Sequence, residues 1–156
     1  MIDIFRKLHH VCIVVNDIQK AMEFYESVGI GPWYDYGNLA EYTELDVEDS
    51  LAFSETKFMC ADIDNMQIQL CQPSMRKNPK RTFLDEHGEG VFHLGFVVDS
   101  CDEGEAAGKK AGLAVLERGR RDDRSGFTYF DTTAQAGVTL EIRSNKSPDK
   151  QHEEES

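Results

Sequence analysis

Positive charge is scarce in this chain: 17 lysines and arginines stand against 29 aspartates and glutamates, a formal net charge of −12 over 156 residues. Duplex binding needs Lys and Arg to neutralise phosphates, so the balance argues against nucleic acid and, for the same reason, against an anionic membrane surface. Long apolar runs are missing as well. No segment reaches the roughly 20 apolar residues of a membrane span, and Arg6, Lys7, His9 and His10 fall where a leader would need an apolar stretch. A cytoplasmic protein is expected. The four cysteines, Cys12, Cys60, Cys71 and Cys101, form no C-x-x-C pair, which excludes a zinc knuckle and points to reduced thiols. From Asn145 to Ser156 no apolar residue occurs, so this stretch is expected to be an acidic, disordered tail.

What is present is a repeat. At an offset of 93 − 10 = 83, His10 to Val15 (HVCIVV) aligns with His93 to Val98 (HLGFVV), and the same offset carries Gly29-Ile30 onto Gly112-Leu113. At the far end of each half, Met66 to Leu70 (MQIQL) resembles Val138 to Ile142 (VTLEI), at an offset of 141 − 69 = 72. The first helix is marked by Ile18, Ala21, Met22, Tyr25 and Val28, with Asn16 or Asp17 as cap and Gly29 as stop. In the second half Gly104 and Gly108 weaken the helical signal, and Ala106, Ala107 and Ala111 offer a narrow packing face. Extended sequence follows each helix, at 43–47 and 57–62, then at 114–118 and 127–131. The reading is an α+β fold of two tandem βαβββ modules forming curved mixed sheets. One domain is expected over 1–144, with module one about 7–73, a polar linker 74–90 marked by Pro79, and module two about 91–144.

Strand parity then separates two faces. Val11, Ile13 and Val15, Met66, Ile68 and Leu70, Phe92, Leu94, Phe96 and Val98, and Val138, Leu140 and Ile142 take the side that helices would cover. The opposite parity holds His10 and Cys12, Gln67 and Gln69, His93 and Gly95, and Thr139 and Glu141. Burying such polar groups without partners costs several kcal/mol, roughly 2 to 7 for a neutral group, so this face needs either water or a ligand. Singly, a strand histidine or glutamine most often has an ordinary hydrogen-bonded role. Four at repeat-equivalent positions on one parity make a mixed N/O set, His10, Gln69, His93 and Glu141, suited to one divalent ion of Co, Zn, Ni, Mn or Fe. His9 rivals His10, but its parity assigns it to the helix-covered face. His87 and His152 read as solvated.

These residues resemble the vicinal oxygen chelate superfamily, the group of glyoxalase I, methylmalonyl-CoA epimerase, extradiol dioxygenases and bleomycin-resistance proteins. The resemblance spans about residues 7 to 144 and rests on Leu8 to Val15 (LHHVCIVV), Phe83 to Phe96 (FLDEHGEGVFHLGF) and Gly137 to Ile142 (GVTLEI). The middle segment is most similar to methylmalonyl-CoA epimerases. The resemblance implies metal ligands at His10, Gln69, His93 and Glu141, and a cation that stabilises an enolate formed by proton abstraction. Glu141 would also move the proton. It further implies an epimerase, isomerase or lyase, a small-molecule substrate such as an acyl-CoA thioester or 2-oxo compound, and a homodimer. One departure stands out. The epimerases carry a second acid/base glutamate where gapless counting from Gln69 meets Ala52; Glu48 and Glu55 lie near. The basic cluster Arg76, Lys77, Lys80 and Arg81 is either a phosphate contact or a solvated linker. The aromatic run Trp33 to Tyr36 lines a pocket or a subunit interface. The alternatives are an Fe(II) ring-cleaving dioxygenase, disfavoured by a fourth ligand at Gln69, and a non-catalytic binding protein of the same fold.

Overall fold

The computed structural model describes residues 2–37 and 39–146; most of the acidic tail, with His152, lies outside the described residues. The elements run β1 (Leu8–Val14), α1 (Ile18–Ser27), β2 (Tyr34–Asp35), a 3-10 turn (Leu39–Glu41), β3 (Glu44–Asp46), α2 (Ser50–Glu55), β4 (Lys57–Ile63) and β5 (Met66–Gln72). After α3 (Pro79–His87) come β6 (Gly90–Val97), α4 (Cys101–Lys110), β7 (Val115–Arg120), β8 (Gly126–Phe130), α5 (Thr133–Ala136) and β9 (Thr139–Ser144). All nine strands form a single curved, unclosed mixed sheet in the order β2-β4-β5-β1-β6-β9-β8-β7-β3. β1 pairs in parallel with β5, β6 in parallel with β9, and β1 with β6 antiparallel, so the two halves meet at the centre.

The convex face is covered as expected. Asp17 caps α1 through Lys20 N–H, and the helix seats Ile18, Met22 and Tyr25 on Val15, Leu70 and Met59. α4 forms over its full length in spite of its two glycines. Of the three alanines only Ala107 packs against the core; Ala106 and Ala111 are exposed, and the buried positions include Gly104 and Gly108. A Cβ at Gly104 would lie 2.8 Å from Ile142, and one at Gly108 2.6 Å from Phe130, so the missing side chains let the helix approach β8 and β9. Beneath α4, Arg120 is fully buried and donates to Glu105, Thr128 and the Phe127 carbonyl.

Three features depart from the pattern read in the sequence. The extended stretch at 43–47 is not a strand of the first module's half-sheet: β3 crosses to pair with β7, and β2 pairs with β4 instead. Glu44 holds it there through Arg118 and Arg124. Within the linker, Pro79 starts a helix rather than a loop, because its missing N–H costs nothing in a first turn that Asn78 caps through Lys80 and Arg81 N–H. This α3 packs Leu84 and Phe83 against Cys12, Val14, Cys71 and Phe92, closing one end of the concave face. The parity reading also fails at two residues. Between Leu8/His10 and between Cys12/Ile13 the β1–β6 register slips, leaving His9 as an extra residue on β1 and Phe92 as one on β6. Such bulges turn a side chain out of its alternation: Phe92 packs under α3, and His9 reaches the concave side.

Candidate metal centre

The four central strands β5, β1, β6 and β9 carry Gln69, His10, His93 and Glu141. Register sets Cys12 opposite both Gln69 and His93, and Gly95 opposite both His10 and Glu141. The Nε2 atoms of His10 and His93 lie 2.9 Å apart, and Glu141 presents Oε1 at 3.3 Å from the first and Oε2 at 3.4 Å from the second. Ligand atoms of these three residues all fall within 4.8 Å of one another, and each residue is at most 4% exposed. Gln69 lines the same pocket and donates its amide nitrogen to Gln67 Oε1 at 2.7 Å, which reserves its carbonyl oxygen as the atom that can bind a cation. Gly95 makes the room: a Cβ on it would lie 2.0 Å from the His10 ring.

The charge state of this cluster favours a cation. Burial alone would raise the Glu141 carboxyl, but His93, His10 and Arg143 bring it down to about 2, so it is ionised near neutrality. Burial pushes the His93 imidazole well below its ordinary range, against the pull of Glu141. A buried carboxylate facing ring nitrogens is an electron-rich set with the N/O composition that divalent transition metals take. The outer partners differ between the two rings. His10 Nδ1 meets His9 Nδ1 at 2.8 Å, whereas His93 Nδ1 is buried without a hydrogen-bond partner.

Around the cluster stand Tyr36, Tyr42, Phe53, Phe58, Phe127 and Tyr129, an aromatic wall that leaves about 20 Å³ of free space, near the room one water needs. Tyr36 therefore lines the pocket, while Trp33 packs on Tyr25. Tyr129 and Glu117 were not singled out from sequence. Register places Tyr129 beside Glu141 and Glu117 beside Tyr129, and the same parity count extended to β7 and β8 would have found both. Burial raises the Glu117 carboxyl, which accepts Glu48 N–H at 3.0 Å.

The two glutamates considered as a second base are engaged elsewhere: Glu48 is exposed beside Lys77 at 3.9 Å, and Glu55 accepts from the Ser74 hydroxyl. Ala52 is buried on α2. Side chains of the basic cluster have partners within the chain, Lys77 standing 3.9 Å from Glu48. Arg76 pairs with Asp49, Arg81 caps the Pro73 and Ser74 carbonyls, and Lys80 is buried among the Phe58, Phe92 and Tyr129 rings. Among the described residues all four cysteines are free and buried, and no helix is long and apolar enough to cross a membrane.

Residues 9–130 match the family model of the glyoxalase/bleomycin resistance protein/dioxygenase superfamily, and the chain belongs to that family. Over 138 residues it is 24% identical to the protein YqjC of Bacillus subtilis (strain 168), covering 87% of this chain and 90% of the relative. The fold is that of methylmalonyl-CoA epimerase from Mycobacterium tuberculosis, with a TM-score of 0.70 at 20% identity over 97% of both chains. A variant of the Streptomyces coelicolor methylmalonyl-CoA epimerase, solved in complex with 2-nitronate-propionyl-CoA, gives a TM-score of 0.67 at 22% identity, over 92% of this chain and 99% of the other.

Proposed function

We propose that this protein is a divalent-metal-dependent enzyme that removes a proton from a carbon next to a carbonyl, an epimerase, isomerase or lyase in which His10, Gln69, His93 and Glu141 hold the ion. The observation that carries the reading is the convergence of two imidazole Nε2 atoms and one carboxylate within 4.8 Å. When bound, a divalent cation of the Co, Zn, Ni, Mn or Fe type chelates two substrate oxygens and offsets the charge that proton loss leaves on them.

Glu141 is the base. It is ionised, and the aromatic wall keeps bulk water from competing for the proton. His10 and His93 orient it from both oxygens. Among the described residues no second carboxyl lines the space, where the phenols of Tyr36, Tyr42 and Tyr129 face the cluster. That asymmetry favours chemistry in which one carboxylate takes and returns the proton over epimerisation between two opposed carboxylates. An acyl-CoA thioester or a 2-oxo compound is the substrate class, in line with the acyl-CoA ligand of the epimerase that shares the fold. A homodimer is part of the same reading, to be checked by light scattering.

The test is metal titration of the stripped protein, combined with solvent deuterium exchange at the α-carbon of candidate thioesters and 2-oxo acids. One tightly held ion per chain and exchange abolished in Glu141→Gln are expected. A protein that binds no divalent ion and exchanges no α-proton would overturn the proposal.

A further inference from the structure

The chain has eight arginines, and all but one face a carboxylate within 4.0 Å. Arg143 is the exception among the described residues. Its Nη1 lies 2.7 Å from Nε2 and 3.0 Å from Nδ1 of the His9 ring, and its Nη2 donates to Asn145 Oδ1 at 3.2 Å. Neither partner is an anion. A guanidinium carries five N–H donors in a planar fork, so Arg143 keeps donors beyond these contacts, and among the described residues no carboxylate lies within 4.0 Å of it.

Its position gives that charge a use. Arg143 stands two residues beyond Glu141 on β9, hence on the same face, and lines a cleft of about 470 Å³ that borders the metal pocket through Tyr36. Arg121 and Lys146 line the cleft too, and both pair with the single carboxylate of Glu41. The Asp62 carboxylate nearby accepts from the Tyr34 phenol. Among the described residues three cations and one carboxylate line this cleft.

We infer that the cleft is an oxyanion subsite, in which Arg143 takes a carboxylate or phosphate group carried by the substrate. Two residues of strand separate Arg143 from Glu141, about 7 Å. The anionic group is therefore attached within a few bonds of the reacting carbonyl, so the acyl or 2-oxo part of the substrate carries a negative charge of its own. The planar fork suits bidentate binding of either anion. The inference deepens the proposed function, and its test is kept separate by working on metal-stripped protein.

Calorimetric titration with malonate and with inorganic phosphate, at constant ionic strength set by chloride, is the measurement. Saturable binding of one anion per chain is expected, weakened about tenfold or more in Arg143→Gln and less in Arg143→Lys, which keeps the charge and loses the fork. Tighter malonate binding assigns a carboxylate, tighter phosphate binding a phosphate ester. Affinity unchanged in Arg143→Gln, or neither anion binding the wild-type protein beyond the chloride background, overturns the subsite even if the metal centre stands. Should Arg143→Gln lose its circular dichroism signal, Arg143→Lys carries the same decision.

Discussion

His9 and Phe92 occupy equivalent positions, 92 − 9 = 83 residues apart, and each is the extra residue of a β-bulge that immediately precedes a ring of the candidate site. Each lays its own ring edge-on against the histidine that follows, His9 on His10 with centroids 5.0 Å apart and Phe92 on His93 at 5.9 Å. The bulge is thus part of the duplicated unit, and the chemistry of its residue has diverged. His9 gives His10 Nδ1 a partner; Phe92 gives His93 Nδ1 none, and among the described residues that nitrogen is buried without a hydrogen bond.

His9→Phe makes the two halves alike and tests what the partner does. Outer hydrogen bonds to a ligating imidazole commonly change metal affinity by about 10- to 100-fold. A loss in that range, read by competition with a chromophoric chelator, is expected with little change in far-ultraviolet dichroism. Unaltered affinity would mean that His9 merely packs.

Gly95→Ala addresses the room that His10 occupies. The added methyl would sit 2.0 Å from Cε1 and 2.3 Å from Nε2 of a ring that is 2% exposed, so the ring must shift to admit it. Overpacking of this kind costs about 1–3 kcal/mol. Urea denaturation should show that loss, and the displaced ring should also cost metal binding. A variant as stable as the parent with full metal affinity contradicts this account.

Lys80→Met separates burial from charge. The Lys80 ammonium is buried, donates to the Tyr129 hydroxyl at 3.3 Å and lies 4.5 Å from the Tyr129 ring centre. Replacing a buried charge by an apolar chain of similar length is often neutral or stabilising. A melting temperature equal to or above the parent's is expected for Lys80→Met. Lys80→Ala, which also empties the space between three rings, should lower it.

The repeat and the parity of four strands were enough to bring His10, Gln69, His93 and Glu141 onto one face, because a pleated strand fixes the direction of every second side chain. What stayed hidden depends on residues distant in the chain or on breaks in periodicity. Parity assumes one-to-one pairing, so it misassigned His9 and Phe92, the two bulge residues. Composition located the basic cluster but not its partners: Arg76 finds Asp49 and Lys80 finds an aromatic cage only after folding. A proline in a polar stretch reads as a breaker, and the Asn78 cap that makes Pro79 a helix start is a local geometry that spacing does not reveal. The crossing of β3 follows from ion pairs between Glu44 and arginines more than 70 residues away.

That crossing strand should be the acid-sensitive part of the molecule. Hydrogen bonds from Arg124 and Arg118 hold the Glu44 carboxyl down to about 2, and bonds from Arg124 and Arg120 do the same for Asp102 on α4. Ordinary values are 4.5 and 3.8. Between the two sets of values the unfolded chain binds more protons than the folded one, so this contribution is complete above about pH 4.5 and is lost as pH falls toward 2. Both carboxylates are substantially exposed, which keeps the effect modest and weaker in high salt. Since β3 is an edge strand joined to β7 alone, the loss should appear first as faster hydrogen exchange of the Thr43 amide, which donates to the Arg120 carbonyl at 2.9 Å. Arg124→Met should remove most of that pH dependence between 4.5 and 2. If β3 exchanges no faster at pH 3 than at pH 6 once intrinsic rates are corrected, the ion pairs do not hold the crossing, and the strand is kept in place by its backbone bonds to β7.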